Sequence, residues 1–503
     1  MALPRLSRKG WGPKGRGRQS GTRRKYPAHA PFCFPFRPFS SLIPQPPSLA
    51  SCMIDGMRIR PARRIRGSIA LPGDKSISHR AAIMAALARG RSVLHNYASS
   101  EDCARTLSCL GQLGASIEQE GQSVHVSGVG EGGLGAANVP LDCGNSGSTI
   151  RMLAGVLAGQ DFASVLTGDD SLRSRPMRRV IEPLELMGAK ISSLGGCAPM
   201  EIKGHRPLLP ITYEMPVASA QVKSCILLAG LSAEGHTSVI ERGGPTRDHT
   251  ERMLGWFGLR VETSHQGDGP ASSSTLSVEG PAGLRARGGA IPGDISSAVF
   301  FIAAAALLPG SDLEIKRVGL NPTRSQVLST FRGLGAGVTV EDGEGRLSGE
   351  DFNEPFGDVH TKGGDGLAPL EDGRSNVLSG ALITQLIDEL PMLAVLGTQV
   401  AGGLAIRDAS ELRVKETDRI SATVANLRAM GAEVEEYADG LAVAGGTRLR
   451  GARLDARGDH RIAMASAVAA LIAEGESEIE GAEECVGVSF PEFFSVLESV
   501  VER

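Results

Sequence analysis

The chain has 503 residues, 53 Lys and Arg against 56 Asp and Glu, 41% hydrophobic residues and 65 glycines; single hydrophobic cores stop growing at roughly 250 to 300 residues, so two domains or more are expected. A charged fraction of 22% excludes a disordered or fibrous chain, and no apolar run reaches the ~18 to 20 residues of a membrane helix. Eight cysteines with no C-x-x-C pair and no Cys/His cluster give no sign of zinc or a disulfide framework, and suit a reducing cytosol.

In chain order, residues 1–57 come first, with ten Lys/Arg, nine prolines and a single acid, Asp55. Such a segment has no periodicity to bury and is expected to be a disordered extension. Two origins are open: upstream sequence translated from an early start, with Met53 or Met57 the true beginning, or an Arg-rich, acid-poor transit peptide, which would send the protein to a plastid. The remainder holds 43 Lys/Arg against 55 Asp/Glu. An acidic body speaks against nucleic acid as a partner, since a basic patch and a high pI are its footprint.

After a strand in RIRPARRIRGSIALPG, two signals alternate along the body. The first is a glycine-rich or polar turn opening a small-residue apolar helix: PGDKSISHRAAIMAALARG (72–90), CGNSGSTIRMLAGVLAG (143–159), VASAQVKSCILLAGLSAEG (217–235), PGDISSAVFFIAAAALLPG (292–310), TQLIDELPMLAVLGTQVAGG (384–403) and RGDHRIAMASAVAALIAEG (457–475). The second is an amphipathic helix ending in glycine before a β-branched strand, with Gly114, Gly188, Gly258, Gly335 and Gly431 at the junctions, where a left-handed residue ends the helix. The sixth unit closes with FPEFFSVLESV instead. Six units of roughly 70 residues, three per domain, predict an α/β protein of two domains rather than a solenoid, whose periods run about 20 to 50 residues. The Gly/Asp-rich stretch from Asp342 to Arg374 reads as a surface insertion.

Helix N-termini offer unpaired N–H groups and a positive dipole end to anions. The turns add fixed cations there: Lys75, Arg80, Arg151 and Arg461, with Arg173, Arg175, Arg247, Lys415 and Arg419 where second helices begin. An acidic body that keeps cations at equivalent helix starts is built for a small, multiply anionic ligand. Glu416 follows Lys415, and Asp388 with Glu389 interrupts the apolar fifth helix, where a carboxylate is costly unless paired. Asp388 is also placed to cap a helix running from Pro391, a role that can coexist with one as general base. His79, His249 and His460 lie on different repeats without ligand spacing and read as hydrogen-bonding structural residues. No GxxxxGK[ST] loop or GxGxxG unit supports a nucleotide site.

The strings LPGDKSISHRA, GNSGSTIR, SAQVKS, DELP, LRVKETDRI and GDHRIAMA, in register from about Arg58 to Arg503, resemble those of the 5-enolpyruvylshikimate-3-phosphate synthase (EPSP synthase) family, and their wording resembles its second class. The resemblance implies a two-domain inside-out α/β barrel of six βαβαββ units with the active site in the cleft, one domain combining 58–73 with 291–503 and the other holding 74–290. It implies transfer of the enolpyruvyl group of phosphoenolpyruvate to the 5-hydroxyl of shikimate 3-phosphate, with release of phosphate, on the route to chorismate and the aromatic amino acids. No redox step or hydrolytic water enters that reaction, so no cofactor and no metal is required; a cytoplasmic monomer without membrane association is expected. By the same resemblance Lys75, Ser76, Arg80, Ser219, Gln221, Arg247, Asp388 and Lys415 hold shikimate 3-phosphate, and Lys75, Asn145, Gly147, Arg175, Gln221, Arg419 and Arg461 hold phosphoenolpyruvate. Asp388 resembles the acceptor of the hydroxyl proton, and Lys415 and Glu416, with Lys75, resemble the groups that act around phosphoenolpyruvate.

Two positions depart from the commoner pattern. Ser171 stands where an arginine is often found, so its role passes to Arg175 with Arg173 as fallback, and Val488 replaces a lysine before the final SFP. Gly147, where some tolerant members carry alanine, leaves room for glyphosate, and sensitivity is expected. A related UDP-N-acetylglucosamine carboxyvinyltransferase would carry Lys-Asn in place of Lys75-Ser76 and a reactive loop cysteine; Cys143 reads instead as a small buried residue.

Overall fold

The computed structural model describes residues 56–130, 132–242, 244–267, 272–342, 352–364, 366–370 and 376–503. The expectations for the basic extension up to Asp55, including its disorder, lie outside the described residues. Met57 belongs to the fold, since Met57–Ile59 pairs antiparallel with Ser477–Glu480.

The strands of the described residues form six sheets built on one scheme. In the second unit Leu141–Asp142 runs parallel to Ala163–Thr167, which pairs antiparallel with Cys197–Lys203, itself paired with Lys190–Leu194. The same order recurs with Thr212–Glu214, Gly235–Arg242, Ser273–Gly280 and Glu262–Gln266, and with Val377–Leu378, Leu404–Ile406, Gly440–Val443 and Val434–Tyr437. A parallel pair needs a crossover, and an apolar helix supplies it in each unit. The last unit's sheet is completed by Met57–Ile59, while the C-terminal Val501–Glu502 pairs with Arg64–Ala70 in another sheet.

The crossover helices carry small and apolar residues on every face because they are enclosed on every face. Lys75–Leu87, Gly147–Ala158 and Ala220–Gly230 fill one core, and Ile295–Leu307, Leu390–Gly397 and His460–Leu471 fill another. Small residues let them approach closely: a Cβ added to Gly155 would lie 2.1 Å from the Cys225 carbonyl oxygen. The amphipathic helices lie outside, and the five junction glycines all have φ between +81° and +104°, as their turn into the next strand demands.

The two PGD turns mark where the chain passes between these cores. Ile69 and Leu71 belong to one and Ile77 to the other; Ile291 and Ile295 are divided the opposite way. The turns pair with each other: Asp74 N–H donates to Pro292 O at 2.8 Å, and Asp294 N–H to Pro72 O at 3.2 Å. Arg324, 3% exposed, spans both aspartates at 3.3 Å and 3.5 Å.

Three expectations change. The fifth helix is two, Ala381–Leu386 and Leu390–Gly397, separated by Ile387, Asp388 and Glu389. The N-cap position of the second belongs to Glu389 and not to Asp388, whose carboxylate turns to arginines instead. The stretch from Asp342 to Arg374 is not a surface insertion throughout: Phe356–Lys362 alternates inward and outward as the strand between Gly337–Asp342 and Asp312–Gly319, and Phe352 is buried in the core of the other half.

Candidate active site

Five of the six buried helices are capped by a side chain at their first turn, Asp74, Ser146, Ser219, Asp294 and Asp459, each accepting from a backbone N–H two or three residues further on. These turns converge on one cavity of about 390 Å³, lined by residues of all six units. Nine Lys and Arg line it against six Asp and Glu, so an acidic protein presents a net positive cleft.

One bank comes from the first three units. Lys75, the first residue of its helix, donates to Asp102 at 3.0 Å and to Ser489 Oγ, from the last unit, at 3.2 Å. Asn145 Oδ1 accepts from Arg175 Nη2 at 2.6 Å, while the Asn145 amide donates to Asp169 at 2.8 Å. Gln221 accepts from Arg151 at 2.5 Å and donates to Ser148 Oγ at 3.0 Å. Ser76, Gly147, Ser219 and Arg247 complete this side.

The facing bank carries carboxylates among arginines. Arg419, 1% exposed, reaches three of them: Asp459 at 2.7 Å, Glu416 at 2.6 Å and Asp388 at 3.3 Å. The planar guanidinium fork suits several carboxylates at once, which a lysine could not match. Arg461 donates to the Asp388 carbonyl at 3.0 Å. Pairs across the cavity join the banks: Arg247 with Asp388, Arg175 with Glu416 at 3.8 Å, and Arg179 with Glu411 at 3.1 Å.

The electrostatics follow. Burial alone would raise Asp388, but Arg461, Arg247, Lys415 and Arg419 hold its carboxyl well below the usual range. Glu416 is likewise lowered by Arg419 and Arg175 against its burial. Burial lowers the Lys415 ammonium, with Asp388 opposing. For Lys75 burial pulls downward most strongly, with Arg461 adding to it, but Asp102 and Glu416 together prevail and the ammonium is raised. His460, on the cavity wall, is pushed well down by burial, Lys75 and Arg461, and is neutral.

Of the residues expected here, Lys75, Ser76, Asn145, Gly147, Arg175, Ser219, Gln221, Arg247, Asp388, Lys415, Glu416, Arg419 and Arg461 all line the cavity. Arg80 does not. Its guanidinium is turned inward, donating to Ser76 O at 2.9 Å, Ser224 Oγ at 2.9 Å and Thr250 Oγ1 at 2.8 Å, because the hydroxyls of two neighbouring helices draw it behind the wall. Arg173, the fallback for Arg175, is half exposed beside Asp170 and away from the cavity. His79 is a buried structural histidine bonded to Thr106 at 2.7 Å, His249 bonds Glu354 at 2.7 Å, and Cys143 is buried with its thiol raised by Cys109 and by burial, not poised as a nucleophile. Asp102, Arg179, Arg324 and Glu411 line the cavity without having been foreseen. Arg324 had a signal: the triplet Pro-Thr-Arg occurs at 245–247 and again at 322–324, at corresponding places in adjacent units. No cluster of His, Cys, Asp and Glu among the described residues is arranged to hold a metal.

Comparisons with known proteins agree with this geometry. Residues 59–497 match the family model described as EPSP synthase (3-phosphoshikimate 1-carboxyvinyltransferase). The chain is 49% identical to the 3-phosphoshikimate 1-carboxyvinyltransferase of Koribacter versatilis, over 89% of this chain and 99% of that protein, and 47% identical to that of Desulforamulus reducens, over 88% and 99%. The solved EPSP synthase of Acinetobacter baumannii is 39% identical and superposes with a TM-score of 0.76 over 88% of this chain and 98% of that one. These relatives are bacterial, and they lend no support to a plastid leader in the basic extension. With six repeated units, helix starts converging on a cationic cleft and sequence similarity along nearly its whole body, the chain belongs to the EPSP synthase family of enolpyruvyl transferases.

Proposed function

We propose the following division of labour for this family's reaction, transfer of the enolpyruvyl group of phosphoenolpyruvate to the 5-hydroxyl of shikimate 3-phosphate in aromatic amino acid biosynthesis. Lys75, Ser76, Ser219, Gln221 and Arg247 hold shikimate 3-phosphate; Asn145, Gly147, Arg175, Arg419 and Arg461 hold phosphoenolpyruvate, with Lys75 and Gln221 between the two. Arg80 acts from behind, through its bond to Ser76 O. The observation that carries the reading is the cross-cleft pairing of Asp388 and Glu416 with arginines assigned to substrate anions.

That pairing makes chemical sense. Two phosphates and two carboxylates repel one another in water, and fixed cations with helix ends remove the obstacle to approach. While the arginines face only Asp388 and Glu416, both carboxylates are weak bases. Substrate anions that draw Arg247 and Arg175 to themselves relieve that hold, and the carboxylates regain basicity when it is needed. Asp388 then takes the proton of the 5-hydroxyl as its oxygen bonds to the enol carbon. Lys415 and Glu416 handle the proton at the methylene carbon, giving a tetrahedral intermediate; its collapse returns that proton and expels phosphate.

The division into domains that best fits the two cores is 58–73 with 291–503, and 74–290, with the cleft closing on the substrates. Soluble, cytoplasmic operation as a monomer accompanies the reading; no helix among the described residues is long and apolar enough to cross a membrane. Phosphate release from phosphoenolpyruvate, measured with shikimate 3-phosphate or UDP-N-acetylglucosamine as acceptor, tests the whole. Release with the first acceptor alone is expected; release with neither would sink the assignment.

A further inference from the structure

Behind the cavity lies a buried ion cluster that the assigned reaction does not use. The strand Gly235–Arg242 turns Thr237, Val239 and Glu241 inward, so a glutamate occupies a position the alternation reserves for an apolar side chain. The buried helix Ala220–Gly230 does the same with Lys223, set among Val222, Cys225 and Ile226. Both are essentially inaccessible, at 1% and 2% exposure. Charges so deep are costly unless their partners satisfy them.

Here the partners belong to three separate segments. The Lys223 ammonium meets Glu241 at 3.2 Å, the Thr246 carbonyl at 3.4 Å and Glu251 at 2.6 Å. The ammonium donates to acceptors on a strand and a loop, and pairs by charge with a carboxylate on an outer helix. Glu241 in turn accepts from the Thr246 N–H at 3.3 Å and from its hydroxyl. Thr246 is therefore clamped through its carbonyl, its amide and its side chain, and the next residue is Arg247, which reaches across the cleft to Asp388.

We infer that Lys223 and Glu241 are positioning residues for the reaction: through Thr246 they fix the loop that presents Arg247 to the phosphate of shikimate 3-phosphate. The inference rests on the reading of Arg247 given above. Lys223 starts from the same helix as Ser219 and Gln221, so one ammonium holds the helix start and the arginine loop at a set spacing, and the acceptor side of the cavity is built on it.

Kinetics in the full chain test this. Lys223→Met leaves two carboxylates buried without their cation and can unfold the protein, so Thr246→Val, which keeps shape and the amide bond but removes the hydroxyl, carries the test. Thr246→Val is expected to raise KM for shikimate 3-phosphate by about 10-fold, leaving kcat and KM for phosphoenolpyruvate within about twofold, as loss of a hydrogen bond to a charged group predicts. Thr246→Ser should restore the parent value, and a folded Lys223→Met should show the same split. An unchanged KM for shikimate 3-phosphate in Thr246→Val, or an equal fall in kcat with both KM values constant, would overturn the inference and leave a purely structural cluster. Arg247→Gln separates the two readings. If it raises the same KM while Thr246→Val does not, only the positioning fails; if it changes nothing, the phosphate role of Arg247 falls and the positioning with it.

Discussion

The two banks of the cleft are made from the same repeated unit and do different work. Around the first three units the wall is a set of helix starts with amides, hydroxyls and cations, and the one acid among the described residues that lines it there, Asp102, is tied to a lysine. Around the last three, Asp388 and Glu416 are embedded among Arg419, Arg461 and Lys415. A helix start with a hydroxyl cap and a cation can bind an anion but cannot move a proton at neutral pH; a carboxylate beside several arginines can do so once their charge is drawn elsewhere. The comparison teaches that repetition supplies the geometry, and that the proposed base stands where one unit departs from it. The fifth buried helix breaks at Ile387–Glu389, is the one without a side-chain cap, and there carries Asp388.

The largest effect should come from that break. Asp388→Asn removes the proposed base and is expected to lower kcat by roughly 10²- to 10⁴-fold with modest changes in KM, read by steady-state phosphate release. Glu416→Gln should follow with a kcat loss of about 10²-fold. On the opposite bank, Arg175→Gln should act on binding instead, raising KM for phosphoenolpyruvate by about 10- to 100-fold; a loss of kcat equal to that of Asp388→Asn would break the distinction between the banks.

Gly147→Ala sharpens it further. The added Cβ would lie 2.7 Å from Arg151 Nη1 and 3.4 Å from Arg175 Nη1, so the Arg151 guanidinium must shift and the methyl comes into contact with Arg175. KM for phosphoenolpyruvate should rise several-fold, and glyphosate, expected to inhibit the parent at about millimolar concentration or below, should inhibit less.

The smallest effect concerns the seam between the banks, where His249 of one half meets Glu354 of the other at 2.7 Å. Burial pushes the Glu354 carboxyl up to about 8, with Asp248 and Asp74 adding to it and Asn321 opposing. A carboxyl that holds its proton more tightly when folded contributes stability that is full below the ordinary glutamate range and is lost as pH rises toward about 8. Glu354→Gln should therefore flatten the pH dependence of the urea midpoint between about pH 5 and 8, gaining on the parent at the alkaline end; parallel curves would show that this seam does not titrate.

Much of the fold was legible because the unit repeats. Turns followed by small apolar helices, and glycines at the ends of amphipathic ones, are local patterns, and the left-handed glycines and capped helix starts follow from backbone chemistry alone. Phe356–Lys362 was misread because its short, glycine-containing alternation is embedded in a turn-rich stretch. Most of the expected residues that line the cleft were legible too, through motifs at helix starts. Arg80 was not, since a basic residue one turn inside a helix carries no local sign of whether its guanidinium reaches the cleft or the hydroxyls of Thr250 and Ser224.

The sequence by itself determined the class of chain, the six units, the helix ends that would face an anion and the residue types that would meet there. Tertiary structure decided which charges face each other: that Arg247 meets Asp388 and Arg175 meets Glu416, that Arg324 ties the two crossing turns, and that Lys223 lies behind the loop of Arg247. The reason is physical. Caps and turns depend on neighbours a few residues away, whereas the balance between burial and opposite charge that sets a carboxylate's state depends on groups brought together from distant units.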